Sequence, residues 1–193
     1  MKICLYGASS NDIPPLYISS TEKLGEEIAR RGHSMIYGGG ANGLMGAAAR
    51  GVKKGGGHIL GVIPKFFMED TIEHLYAFCN EVTVPETMRE RKQIMEENAD
   101  AFIVLPGGIG TYEEFFEILT SKQLCRHNKP IAIYNIGGFY DKIVLALKDA
   151  IEKGFIKARC LELYCITEDT DKLFEYIEAP AEEIKSIKEL KNG

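Results

Sequence analysis

Apolar residues along this chain fall into seven short, nearly unbroken runs, separated by longer stretches with helical period. The runs are "ICLYG" (3–7), "SMIYG" (34–38), "HILGVI" (58–63), "EVTV" (81–84), "AFIVL" (101–105), "IAIYN" (131–135) and "LYCIT" (163–167). Helical spacing of apolar positions covers 16–31, 43–54, 86–98, 112–125, 140–153 and 170–177. Strands that alternate with helices predict an α/β fold. It is a mostly parallel sheet of about seven strands with helices on both faces. Strands that are apolar throughout, rather than at every second position, fit burial on both sides. No linker or repeat interrupts the pattern, so residues 1–180 read as one domain. The tail at 181–193, "AEEIKSIKELKNG", is charged and helical in period.

Glycine is placed with regularity. "YGASS" follows the first run, "YGGGANGLMG" the second and "PGGIGT" the fifth. In an open parallel sheet all three loops lie at the carboxyl edge, where such folds bind ligands. In "PGGIGT", Gly107, Gly108 and Gly110 lack a Cβ, so a ligand can approach the backbone closely. A helix predicted to start near Thr111 would add unpaired amides and the positive end of its dipole, a combination suited to phosphate. A tight strand-to-helix turn with no ligand would use the same glycines. Glu114 carries a similar choice. Thr111-x-x-Glu114 has the spacing of a capping box, yet a carboxylate there would lie beside anything the glycine loop held. Glu113 is its neighbour, projecting about 100° away around the helix.

"YGGGANGLMG" has no Gly-Lys-Ser/Thr and not the GxGxxG spacing, so it is neither a Walker A loop nor a dinucleotide fingerprint. It is a second phosphate-type or ribose-type loop, or a means of close helix–strand packing at Gly43 and Gly46. In "PETMRERKQIM", Met88, Arg91, Lys92 and Met95 share one helical face. Two cations there are either snorkelling side chains at a helix margin or a guanidinium and an ammonium aimed at a ligand.

Composition narrows the class. The chain has 193 residues, 23 basic and 28 acidic, for a net charge of −5. That balance disfavours a nucleic-acid polymer as partner. No apolar run approaches the roughly 20 residues of a membrane span. The N-terminal "MKICLYG" enters a strand directly, so a cytoplasmic protein is expected. Five cysteines at wide spacing form no CxxC pair, and four scattered histidines form no HExxH. No metal site and no cofactor are expected from them.

Six segments in this order resemble the LOG ("lonely guy") family of cytokinin riboside 5′-monophosphate phosphoribohydrolases: "YGGGANGLMG", "GVIP", "MRERKQIM", "PGGIGTYEE", "TSKQLCRHNKP" and "GFI". The paired signature is an Arg-Lys on one helix and PGGxGTxxE after the next strand. The resemblance implies a Rossmann-like fold, a homodimer or higher homo-oligomer, and a small-molecule nucleotide substrate. The reaction it implies is hydrolysis of the N-glycosidic bond of a nucleoside 5′-monophosphate, AMP or an N6-modified AMP, to free base and ribose 5-phosphate. Matched residue by residue, it assigns catalysis to Arg91 and Glu114. It assigns substrate contacts to Lys92, Gly107, Gly108, Ile109, Gly110, Thr111 and Thr120. Arg89 stands where the family commonly has histidine. The competing expectation is a non-catalytic nucleotide-binding or carrier module on the same scaffold, which would not need the Arg91 and Glu114 pair.

Overall fold

The structure is a computed structural model that describes residues 1–69 and 74–180. The tail at 181–193 lies outside the described residues. In chain order the elements are β1 (Lys2–Tyr6), α1 (Pro15–Arg30), β2 (Ser34–Tyr37), α2 (Gly43–Lys54), β3 (Ile59–Val62), α3 (Lys65–Glu69), β4 (Glu81–Thr83) and α4 (Met88–Asn98). They continue with β5 (Ala101–Val104), α5 (Ile109–Gln123), β6 (Ile131–Tyr134), α6 (Asp141–Glu152), β7 (Cys165–Thr167) and α7 (Thr170–Glu178). Two short 3₁₀ turns, Ile136–Gly138 and Ala158–Leu163, fall beside α6. All seven strands and all six long helices coincide with the runs read from sequence. The short α3 has no buried residue to give it a pattern.

Every strand pairs in parallel, in the order β4-β3-β2-β1-β5-β6-β7. The fold is Rossmann-like. Strand side chains alternate between the faces, and two packed layers result. Ile3, Leu5, Met35, Tyr37, Ile103 and Tyr134 meet α1, α2 and α7 on one face. Cys4, Tyr6, Ile36, Phe102, Val104 and Ile133 meet α4, α5 and the Cys160–Tyr164 region on the other. Each large side chain buried in these layers contributes about 1.5–3 kcal/mol. The expectation that every strand is buried on both sides fails at the margins. β4 and β7 are the two edge strands, and neither contains a fully buried residue.

α1 and α2 pack with almost no space between them. A Cβ on Gly25 would lie 2.3 Å from the Ala48 carbonyl, and one on Gly51 would lie 2.0 Å from that of Glu22. α4 starts at a capping box: Thr87 accepts from the Glu90 amide and the Glu90 carboxylate accepts from the Thr87 amide. The strand order reverses direction between β1 and β5, and the ends of these two neighbours define the crevice where such sheets bind ligands.

Candidate active site

Three glycine-bearing loops meet at that crevice, and Ala8 ties them together. Its carbonyl accepts from the amides of Leu44 and Met45, at the start of α2, and its own amide donates to the Pro106 carbonyl, at the end of β5. The Asn11 side chain accepts from the Gly43 amide. These bonds correct one reading of the second loop. The first amides of α2 are satisfied inside the protein, so they do not form an open phosphate site. Gly43 has φ +59 and its α-carbon faces the Ala8 carbonyl, while a Cβ on Gly46 would lie 2.0 Å from the Ala41 carbonyl. Both glycines serve packing.

The "PGGIGT" loop is built differently. α5 starts at Ile109, with Gly108 as its N-cap and no side-chain cap. Thr111 is therefore the third residue of the helix and not its cap, and the expected Thr111–Glu114 capping box does not form. The reason is local. Gly108, at φ −88 and ψ −159, turns the chain into the helix three residues early. Tyr112 to Gly108 is the bond that opens the helical ladder. The amides of Ile109, Gly110 and Thr111 precede it and point out of the helix end. Additions at Gly108 or Gly110 would meet nothing within 4 Å, whereas Gly107 is tight against the Thr111 hydroxyl. Behind the loop, the buried Tyr140 hydroxyl donates to the Leu105 carbonyl at 2.7 Å. Burial keeps that phenol protonated by pushing its pKa up.

Glu114 lies one turn into α5 and is 9% exposed. Arg91, on α4, is 5% exposed. Snorkelling is therefore excluded for Arg91, whose charged end is inside the protein. One guanidinium nitrogen lies 3.6 Å from the Glu114 carboxylate, longer than the 2.7–2.9 Å of a tight charge-assisted hydrogen bond. Arg91 Nε donates to the Val62 carbonyl at 3.2 Å, and its Cζ lies 5.9 Å from the centre of the Phe67 ring. The remaining nitrogen occupies the space that a Cβ of Gly38 would need, 2.0 Å from that position. A buried ion pair of loose geometry contributes little to stability. Such groups are characteristic of functional sites.

The other expected site residues divide into two sets. Gly107, Gly108, Ile109, Gly110 and Thr111 form the rim next to Glu114, with Ile109 exposed at its tip. Lys92 turns away from Arg91 and pairs with Glu113 and Glu117 on α5. Burial alone would lower its pKa, but the hydrogen bonds to the two glutamates outweigh it and raise it. Thr120 is exposed and lies about 18 Å along α5 from Gly108, so one chain does not bring it to the loop. Four residues at the site were not anticipated: Gly38, Val62, Phe67 and Tyr140. Gly38, in a glycine run, and Val62, in the "GVIP" segment, each gave a signal, and nothing in sequence linked either to Arg91. Among the described residues, no group of three or more histidines, cysteines, aspartates and glutamates is arranged to hold a metal.

Comparison with known proteins adds a lineage to this geometry. A family model described as "Possible lysine decarboxylase" matches residues 45–177. Cytokinin riboside 5′-monophosphate phosphoribohydrolase LOG2 of Arabidopsis thaliana is 36% identical, over 92% of this chain and 82% of that protein. LOG7 of the same plant, of the same description, is 37% identical over 96% of this chain and 85% of that protein. Among solved structures, the molybdenum cofactor carrier protein of Chlamydomonas reinhardtii aligns with a TM-score of 0.69. It does so at 19% identity, over 92% of this chain and 95% of that one. At that identity the likeness is one of fold.

Proposed function

The chain belongs to the LOG family, and from that premise we propose that it is a hydrolase that splits the N-glycosidic bond of a nucleoside 5′-monophosphate. The products are a free base and ribose 5-phosphate. The observation that carries this reading is the buried Arg91–Glu114 pair beside the uncapped start of α5. A pure binding module has no need of a carboxylate at the sugar, whereas an oxocarbenium-like transition state is stabilised by one.

The mechanism follows from these groups. The 5′-phosphate sits on the outward amides of Ile109, Gly110 and Thr111, where the helix dipole favours an anion. Gly108 and Gly110 let it come close. Binding at this remote handle fixes the ribose and contributes to its distortion. Cleavage passes through an oxocarbenium-like sugar. Glu114, one turn further along the same helix, faces that developing positive charge and orients the attacking water. Arg91, held by Val62 and Phe67, anchors the nucleotide and assists departure of the base. Thr120 has no part in this single-chain scheme.

The decarboxylase description of the family model is not favoured. Lys92 is engaged with two glutamates, and Lys122, whose pKa burial lowers to about 8, sits at the far end of α5. The carrier reading has only the 19% fold likeness behind it. Exposed Phe116, Leu124, Leu145 and Phe155 support a homo-oligomer, which light scattering would measure. Five unpaired cysteines support a reducing compartment such as the cytoplasm.

The test is to incubate the purified protein with AMP and with its N6-isopentenyl analogue, with adenosine as control and Glu114→Gln in parallel. Free base from wild type and not from Glu114→Gln is the expected result. No base from either nucleotide would reject the hydrolase in favour of the carrier reading. The relative rates would identify the preferred base.

A further inference from the structure

Ion pairs cross from α4 to α5 at two neighbouring levels, one inside the protein and one at its surface. In the inner pair, Arg91 faces Glu114 across 3.6 Å, with both side chains buried. In the outer cluster the next residue, Lys92, meets Glu113 and Glu117, each at 2.5 Å. Its carboxylates are 53% and 40% exposed, while the Lys92 side chain is only 14% exposed. The outer contacts are closed and the inner one is open.

The two levels constrain each other through helix geometry. Consecutive residues project about 100° apart around a helix. Arg91 and Lys92 are consecutive on α4, and Glu113 and Glu114 are consecutive on α5. Both levels form together only when each helix holds one rotation about its own axis. Lys92 adds a second constraint. Glu113 and Glu117 are four residues apart and lie one above the other on α5. The ammonium therefore spans a turn of that helix and fixes it lengthwise. The sheet supports both helices, α4 against β1, β2 and β3 and α5 against β1. Apolar contact is non-directional, so it sets this register less sharply than the ion pairs do.

We propose that Lys92, Glu113 and Glu117 form a clamp that positions the reacting pair, so that Lys92 acts through Arg91 and Glu114 and not by touching the nucleotide. This departs from the substrate contact that the family resemblance assigns to Lys92. The assignment rests on the reading of Arg91 and Glu114 as the pair that does the chemistry. With the outer cluster closed, Arg91 reaches the departing base while Glu114 faces the ribose. Without it the helices part and turn, and both groups leave their places. Half-exposed ion pairs add little to stability, so the loss falls on geometry.

Three variants of the full-length protein test this: Lys92→Met, Glu113→Ala with Glu117→Ala, and the charge exchange Lys92→Glu with Glu113→Lys. The first two are expected to lower kcat for AMP about tenfold, as misplaced reacting groups do. Combining them should cost no more than either alone, because both remove one clamp. All should bind ribose 5-phosphate within about twofold of wild type by calorimetry, with melting temperatures close to wild type. The charge exchange, which keeps the net charge, should recover most of the lost kcat. Weaker ribose 5-phosphate binding in Lys92→Met, with wild-type binding in the protein lacking the two glutamates, would overturn the proposal and return Lys92 to the substrate. Wild-type kcat in the protein lacking the two glutamates would overturn it as well. If wild type releases no base from any nucleotide, the hydrolase reading falls, and crystal structures decide the clamp. An Arg91–Glu114 separation wider in the Glu113→Ala, Glu117→Ala protein than in wild type would uphold it, and an unchanged separation would overturn it.

Discussion

Where α1 crosses α2, a methyl group added at Gly25 or Gly51 would run into backbone at 2.3 or 2.0 Å. At the start of α5, methyl groups added at Gly108 and Gly110 would meet nothing within 4 Å. One face of the sheet uses glycine to bring two helices into contact. The other leaves glycine backbone bare to the outside. The layers differ in the same way in their polar groups. The layer under α1, α2 and α7 is mostly aliphatic and aromatic, with the fully buried Thr21 hydroxyl of α1 unpaired. The layer under α4 and α5 encloses ionisable groups: Arg91, Glu114 and the buried Lys122. Among the described residues, the first layer buries charge nowhere, and the second buries the charged groups to which the proposed reaction is assigned.

Substitutions that separate activity from stability would break or sharpen this contrast. The largest effect is expected at Glu114→Gln, with turnover down by about 10²–10⁴-fold and nucleotide binding retained by calorimetry. Wild-type turnover would return Glu114 to a structural role. Next is Gly51→Ala, expected to cost about 3 kcal/mol in urea unfolding while the folded fraction keeps its kcat. An unchanged midpoint would show that the α1–α2 seam can part.

Lys122→Met works in the opposite direction. The Lys122 pKa is about 8 in the folded protein against 10.5 for the free side chain. Between those values the unfolded chain binds more protons, so stability rises with pH there, and below about 8 the full cost of burying a charge is present. The methionine variant should gain about 2 kcal/mol at neutral pH, and the gain should shrink as pH climbs from 8 towards 10.5. A gain that does not vary with pH would assign the effect to packing.

Gly38→Ala displaces the flexible end of Arg91 instead of backbone, so about a tenfold fall in kcat/KM is expected with a melting temperature close to wild type. The smallest effect is at Gly110→Ala. Helix propensity should add about 0.5–1 kcal/mol, while KM for the nucleotide rises several-fold. An unchanged KM would reduce "PGGIGT" to a turn.

How far sequence reaches follows the same division. Most strands were legible as compact apolar runs ending at glycine, proline or a polar residue, and β4 (Glu81–Thr83) as a short run rich in β-branched residues. α2 was placed to the residue because Gly43 and Lys54 bound a clear amphipathic stretch. α5 was misjudged at its start. Thr111 and Glu114 have the spacing of a cap, but Gly108 ends the preceding turn first, and sequence offers no way to rank the two. The true capping box, Thr87 with Glu90, has the same spacing on α4. Arg91 and Glu114 were found as a pair through the family resemblance, since they are 23 positions apart and on different helices. The space reserved for Arg91 beside Gly38 depends on three-dimensional packing and has no one-dimensional trace.

The Ala8 bonds carry a consequence for how this chain can be cut. Its carbonyl and amide join positions near 8, 44 and 106, so the crevice is a ring closed by peptide groups instead of side chains. No point substitution at these positions, short of proline, removes those links, which makes them resistant to sequence drift. They are vulnerable to a change of connectivity. A circular permutant opened between Ser9 and Ser10 should lose the ring's anchor and its ligand, while one opened at exposed Phe155 should keep both.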